Sequence, residues 1–416
     1  MISASKLSEY SVALLLVTSV VGQGYGALVS EIVGYSGGML SVLARFLTLL
    51  IAILALCSVT IRTPKAGFYM HAFCVFWLIY LTRVLWDTSR PDAILMWPSA
   101  RYWLFAFGVS LLPALAISAQ RSVNFDLLLR LMFYSLLLLL VFSLPFMSSE
   151  TISEVGLYYD TGRYSLARSN SITTGHLGAT LILCSYASRL ISRPIFPSYI
   201  SLMGFVVGGY IVFIAASKGP LIAVVVTLIS AELVRKSVRG TIAIIGGLLI
   251  LIFLLTNDVA FQALISAVGG SDLGLVSRVT NSLPEYDEST FIRVTLLRNF
   301  FDTIGDHLLI GYGLEDPVLH VYPHNLVLEA LMSGGLIGGI SFLFLCYAGL
   351  KGAFYLLSKE RSVIIALIYI QYLIAGQFSG AIYSSGVFWV ALSLVMLSKN
   401  IERKNDHNDK LGFRLT

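Results

Sequence analysis

Apolar residues run along this chain in blocks of about 20, each long enough as a helix to cross ~30 Å of hydrocarbon, and polar residues are confined to the breaks between them. Twelve blocks can be placed: residues 10–30, 39–61, 67–86, 101–118, 127–148, 173–190, 198–216, 220–235, 240–257, 325–350, 361–378 and 381–398. The pattern predicts an all-α polytopic membrane protein of about 12 transmembrane helices, because a helix satisfies its own backbone in lipid. One long polar interruption, residues 258–323, separates spans nine and ten, and a polar tail occupies 399–416. No block separates as a soluble domain, so residues 1–416 read as one integral membrane domain. The first run is of spanning length and leads into more of the same, unlike a cleavable signal peptide.

The long interruption has its own periodicity. In FIRVTLLRNFFDTIGDHLLIGYG, Phe291, Val294, Leu297, Phe300 or Phe301 and Ile304 recur at helical spacing, which predicts a short amphipathic helix lying on the membrane. Ser289 or Thr290 can cap its start, and Arg293 and Arg298 fall off the apolar stripe, able to point toward a shared cavity. A Gly311-Tyr312-Gly313 turn then leads to Pro323-His324-Asn325, immediately before the tenth span.

Composition agrees with the spans: 57% of the 416 residues are hydrophobic and 12% charged, with a mean hydropathy of +0.83, far from the quarter-charged composition of soluble domains. Charge changes the picture by fixing direction. With a cytoplasmic N-terminus, six basic clusters fall on one side: Arg62 and Lys65; Arg121; Arg189 and Arg193; Arg235, Lys236 and Arg239; Lys351, Lys359 and Arg361; Lys399, Arg403 and Lys404. Cytoplasmic loops carry the excess of Lys and Arg, so both termini are expected inside. The net charge of +5 is then topology and needs no nucleic acid to explain it. Cys57, Cys74, Cys184 and Cys346 lie inside apolar runs and read as small packing residues rather than a disulfide framework or metal site.

The basic residues left on the outer side are the informative ones. Arg163 and Arg168 follow the fifth span, Lys218 sits in the tight turn between spans seven and eight, and Arg278, Arg293 and Arg298 lie in the long interruption. They suggest an anion on that side, or ion pairs with Asp160, Asp287, Glu288 or Asp302. In FIAASKGPLIAVVV the hairpin is too short for a soluble loop, so the Lys218 ammonium sits near the membrane surface, retained for a partner or snorkelling to water. His324 stands at the predicted mouth of a span, where an imidazole can take or give a proton near neutral pH; alternatively it only ends the helix.

Taken together, these residues resemble the O-antigen ligase and polymerase superfamily. The resemblance rests on Lys218-Gly219 after an apolar run, Arg293 before an aspartate-bearing helix, Gly311-Tyr312-Gly313, and His324-Asn325 with nine residues to Gly335 and two more to Gly338. It covers roughly residues 155–345. It implies a bacterial inner-membrane enzyme that transfers an undecaprenyl-pyrophosphate-linked oligosaccharide to an acceptor glycan, on the periplasmic face. His324 matches the family histidine that deprotonates or positions the acceptor hydroxyl, Arg293 an arginine that holds the donor pyrophosphate, and Arg163 a loop arginine. Lys218 stands where the family has arginine, keeping the charge and losing the bidentate fork. Asn170 is followed by Ser171 where the family has an Asn-Pro-like sequence, and Ser333 replaces an acidic residue. Asn325, Glu329, Arg298, Arg168 and Tyr322 are supporting candidates, Glu329 as a group one turn past His324 that could orient it.

A glycosyl pyrophosphate already carries a good leaving group. Transfer therefore needs a base at the acceptor hydroxyl and cations to take up charge on the diphosphate, with no cofactor and no metal expected. The sequence has no nucleotide-binding glycine loop and no His, Cys and carboxylate cluster at metal-ligand spacing. Expected partners are the lipid-linked donor, an acceptor that is either a lipid-linked repeat unit or lipid A-core, membrane lipids, and a chain-length regulator protein. Polymerase is favoured over ligase because the Lys218 and Ser333 departures suit the more divergent branch. A lipid-linked oligosaccharide flippase or transporter without chemistry is the alternative of another class.

Overall fold

A computed structural model of the chain describes residues 4–34, 39–58, 68–90, 94–154, 157–166, 169–192, 194–236, 238, 240, 242, 244–246 and 288–410. The helices are α1 (Ala4–Ile32), α2 (Met39–Ser58), α3 (Phe68–Ser89), α4 (Ser99–Trp103), α5 (Leu112–Ser118), α6 (Phe125–Ser143), α7 (Ser171–Leu190), α8 (Ser198–Ile214), α9 (Lys218–Val234), α10 (Glu288–Ile304), α11 (Leu326–Leu357), α12 (Val363–Ala375) and α13 (Gly386–Lys410). Among the described residues, five helical stretches are long and apolar enough to cross a membrane: Lys6–Ile32, Tyr69–Ser89, Ser99–Ser118, Phe125–Phe146 and Leu326–Leu357. Val42–Cys57, Ser198–Ile214 and Val363–Ala375 are shorter apolar helices. Most of the expected ninth span and of the interruption that follows, Arg278 included, lies outside the described residues.

Two features depart from the hydropathy reading. An antiparallel hairpin, β1 (Met147–Glu154) paired with β2 (Leu157–Leu166), follows α6 where no strand is expected. The fourth span is not a uniform α-helix, since a π-helical segment, Leu104–Leu111, joins α4 to α5. Pro113 explains it. Without an N–H, proline cannot bond the carbonyl four residues back, which frees Val109 and widens the preceding turns. That carbonyl lies where a Cβ on Gly386 would collide with it, so glycine at the start of α13 lets the two segments touch.

The chain divides into two compact units. The first comprises 1–19, 45–128 and 289–416, and its core is aromatic. Phe76 and Trp77 of α3 meet Phe342 of α11 and Trp389 of α13, with Trp77 and Trp389 4.9 Å apart and Phe76 and Phe342 5.3 Å apart. The second unit comprises 20–44 and 129–288. There α7 and α8 approach through glycines: a Cβ on Gly178 would stand 2.8 Å from the Gly208 carbonyl oxygen, the close small-residue packing that membrane helices use. Phe133 stacks on Phe196 at 4.3 Å in this unit. Cys184 and Cys346 are buried, as packing residues are, whereas Cys57 and Cys74 are exposed on their helices, which corrects the expectation for those two.

Candidate active site

The turn before α11 is built by its own sequence. Asn325 caps the helix, accepting from the Val327 and Leu328 amides at 3.0 Å each, and its side-chain amide donates to the Gln377 carbonyl at 3.2 Å. His324 takes a left-handed backbone conformation, φ 55°, uncommon outside glycine but adopted several-fold more often by Asn, Asp and His than by other residues. Its ring lies 4.2 Å from that of Tyr322.

Further along α11, Gly335 adopts φ 57°, ψ −152°, breaking the helix into two segments. The Gly311-Tyr312-Gly313 turn docks into this break. The Tyr312 and Gly313 amides donate to the Met332 carbonyl at 2.7 and 3.2 Å, and the Leu336 amide donates to Leu308 at 2.8 Å. A side chain at Gly335 would overlap the Leu309 and Ile310 backbone, and one at Gly311 the Met332 carbonyl. Arg83 closes the joint from α3, donating to the Ser333, Ile310 and Gly311 carbonyls at 3.0, 2.9 and 3.0 Å. The spacing from His324-Asn325 to Gly335 is thus the length of helix between a cap and a receiving kink.

Around His324 the first unit gathers tyrosines and carboxylates. Tyr322 faces Tyr383 at 6.4 Å, and Tyr383 faces Tyr102 at 5.0 Å. The Tyr383 turn is fixed by Ser110, which donates to the Tyr383 carbonyl at 2.8 Å, and by Trp389, which donates to the Ile382 carbonyl at 3.0 Å. Glu329 completes it. This carboxylate is fully buried, accepting from the Tyr80 hydroxyl at 2.6 Å and the Ile382 amide at 2.8 Å. Both its oxygens are therefore engaged away from His324, so Glu329 supports the Tyr383 turn rather than the imidazole. Glu315 accepts from the Tyr102 hydroxyl and from the Met96 amide at 2.8 Å; burial pushes its carboxyl above the usual range, against these hydrogen bonds.

Arg293 is the cation that acts on His324. Burial, and then the Arg293 charge, push the imidazole down to about 4 from an ordinary value of 6.5. At neutral pH the ring is uncharged and holds a free lone pair. Along α10, Leu296 and Phe300 are buried while Phe291, Val294, Leu297 and Phe301 are exposed, which fits an amphipathic helix with its greasy stripe outward. Arg293 is half-buried with the inner face, whereas Arg298 is exposed; five residues of helix separate the two by more than a right angle, so they do not converge. Ser289 and Thr290 lie inside α10 rather than at its cap, since the helix already includes Glu288. Neither Arg293 nor Arg298 forms an ion pair among the described residues.

Lys218 and Arg163 belong to the second unit. Lys218 is the first residue of α9, half-buried, following Ser217 at the N-cap and Ala216 at φ 47°. A cation at a helix N-terminus adds to the positive end of the helix dipole and makes that corner attractive to anions. Arg163 lies on β2 by its backbone, and Arg168 is outside the described residues. The residues that hydropathy reasoning passed over are Arg101, Arg45 and Arg83, all at ends of apolar runs and counted there as part of a span; the same outward-charge argument applied to span ends would have found Arg101.

Among curated proteins, none matches the chain. Residues 203–343, the stretch that holds Lys218, Arg293, His324 and Gly335, match the family described as O-antigen ligase, which supports the resemblance to the O-antigen ligase and polymerase superfamily.

Proposed function

We propose that the chain is a membrane glycosyltransferase that moves an undecaprenyl-diphosphate-linked oligosaccharide onto a sugar hydroxyl at the periplasmic face, acting as a polymerase of O-antigen or a related surface polysaccharide. The observation that carries this reading is a half-buried imidazole at His324, 4.2 Å from the Tyr322 ring and in the field of Arg293, inside the segment that matches the O-antigen ligase family. The acceptor hydroxyl attacks the anomeric carbon, its proton passes to the free nitrogen of His324, and the bond from that carbon to the diphosphate oxygen breaks. Arg293 takes up the charge growing on the leaving diphosphate, an electrostatic stabilisation that desolvation strengthens. No metal is required for this charge balance.

The pairing of base and cation makes the base responsive to substrate. In the free protein Arg293 disfavours a second positive charge on His324. Once the diphosphate neutralises Arg293, the imidazole regains proton affinity, so the base becomes effective when the donor is in place. Polymerase is preferred over ligase on the Lys218 and Ser333 departures; Ser333 here is buried and donates to the Glu329 carbonyl at 2.7 Å.

The test is gel analysis of lipopolysaccharide from a deletion strain carrying either the wild-type chain or His324→Ala, with membrane accumulation of both verified. Core bearing a single repeat unit in the mutant is the expected result. Bare core with lipid-linked polymer accumulating would assign the ligase reaction instead, and full surface polysaccharide would remove His324 from the chemistry.

A further inference from the structure

Two arginines of the first unit share one aromatic ring. The Arg45 guanidinium, on α2, lies 4.3 Å from the centroid of Phe105, and that of Arg101, on α4, lies 5.2 Å from the same centroid. Arg101 also covers the ring of Trp97 at 3.5 Å. The two cations are close enough to repel each other, and both are only half-exposed. Neither forms an ion pair among the described residues. Glu315, beside the Arg101 turn, takes its hydrogen bonds from Tyr102 and the Met96 amide instead. Like charges held together without a carboxylate, at the ends of apolar helices, are costly unless something outside the chain balances them.

Their position relative to His324 suggests what that is. Tyr102, next to Arg101, faces Tyr383, which faces Tyr322, which lies on His324. Arg101 and Arg293 both act electrostatically on Tyr322, so the arginine pair lies on the side of the base reached through these rings, on different elements from Arg293, which acts on His324 directly. One base with two separate positive points suits a reaction between two lipids that each carry phosphate. We propose that Arg45 and Arg101 form a second phosphate-binding site, which anchors the lipid-borne phosphate of the acceptor while Arg293 serves the donor. Trp97 and Phe105 hold the guanidinium planes, and planar forks match phosphate oxygens in pairs. This rests on the glycosyltransfer reading and deepens it, by giving the acceptor its own anchor.

The test titrates the purified full-length chain, in phosphatidylcholine nanodiscs, with undecaprenyl diphosphate. Wild type is expected to bind two equivalents, and the double variant Arg45→Gln, Arg101→Gln to weaken one of them by at least about tenfold. Arg293→Gln should weaken the other, and the Arg45→Lys, Arg101→Lys variant should keep both with a smaller loss, which separates charge from folding. In the transfer assay the Gln pair should raise KM for the acceptor and leave KM for the donor unchanged. Lipid A as competitor distinguishes the source: displacement of the pair's equivalent assigns lipid A-core as acceptor, and no displacement assigns a lipid-linked repeat unit. The inference is overturned if the Gln pair binds both equivalents as wild type does, or if phosphatidylglycerol displaces the second equivalent as well as undecaprenyl diphosphate does. Loss of an equivalent in Arg293→Gln alone would sink only the second site; wild-type binding in every variant would sink the wider reading too.

Discussion

Gly335→Ala tests how the site is assembled, because one methyl group there opposes two separate features. The backbone at φ 57°, ψ −152° is a region that L side chains essentially avoid, worth roughly 1–3 kcal/mol of strain. The added Cβ would also overlap the backbone of Leu309 and Ile310, and backbone cannot swing aside as a side chain can. Relieving the overlap means withdrawing the 308–313 turn, which breaks the Leu336–Leu308 bond and the two bonds to the Met332 carbonyl, at about 1 kcal/mol each. The sum is roughly 4–6 kcal/mol, and it falls on the element that carries the chain from α10 to His324. In a detergent-solubilised preparation heated and followed by size exclusion, the apparent unfolding temperature should drop by roughly 5–10 °C, with transfer activity lost. Gly209→Ala is the control, since no atom lies within 4 Å of a Cβ there, and alanine in a helix interior is favoured by about 0.5–1 kcal/mol. Gly335→Ala melting with wild type and transferring sugar at the wild-type rate would refute the docking argument.

The other predictions concern the side chains around that joint. Because the folded His324 value of about 4 lies below its ordinary 6.5, unfolding takes up a proton between these limits; the stability contributed is complete above 6.5 and is lost as pH falls through 4. The pH profile of kcat/KM, which reports the free enzyme, should show its acid limb near the lower limit in wild type. Arg293→Gln should move that limb upward without reaching 6.5, since burial is the larger cause; an unmoved limb would contradict the coupling. Asn325→Ala should cost about 0.5–2 kcal/mol of stability through the lost helix cap, with Asn325→Ser recovering part of it in the same melt. Glu329→Ala should orphan the Tyr80 hydroxyl and the Ile382 amide, at about 1–3 kcal/mol each. A double-mutant cycle with Tyr80→Phe should be clearly non-additive, and additivity would argue against the bond.

Five of the expected spans were legible among the described residues because lipid demands long apolar helices, and α11 in particular starts within a residue of its hydropathy boundary. What escaped depended on partners distant in sequence. Glu329 stands one turn past His324, a position from which it could orient the ring or only line the site, yet its partners are Tyr80 and Ile382, which no local spacing reveals. Arg293 and Arg298 looked equivalent on charge, but the periodicity of α10 turns one inward and the other outward. The π segment had a visible cause in Pro113, and the spacing to Gly335 was visible without its reason, a kink that receives the Gly311 turn. The β1–β2 hairpin carries no strong alternation of apolar and polar residues, so the period-2 signal was weak. Arg45 and Arg101 fall inside the apolar runs 39–61 and 101–118, where hydropathy absorbs them into a span.

The most direct measurement is the single-turnover rate of transfer from an undecaprenyl-diphosphate-linked oligosaccharide to its acceptor by the purified chain, for wild type and His324→Ala, with donor binding determined in parallel. Loss of a general base costs about 10²–10⁴-fold in rate. The account predicts a fall of that size with donor affinity unchanged, because Arg293 remains. A rate within a few-fold of wild type would contradict the assignment of His324 as the base.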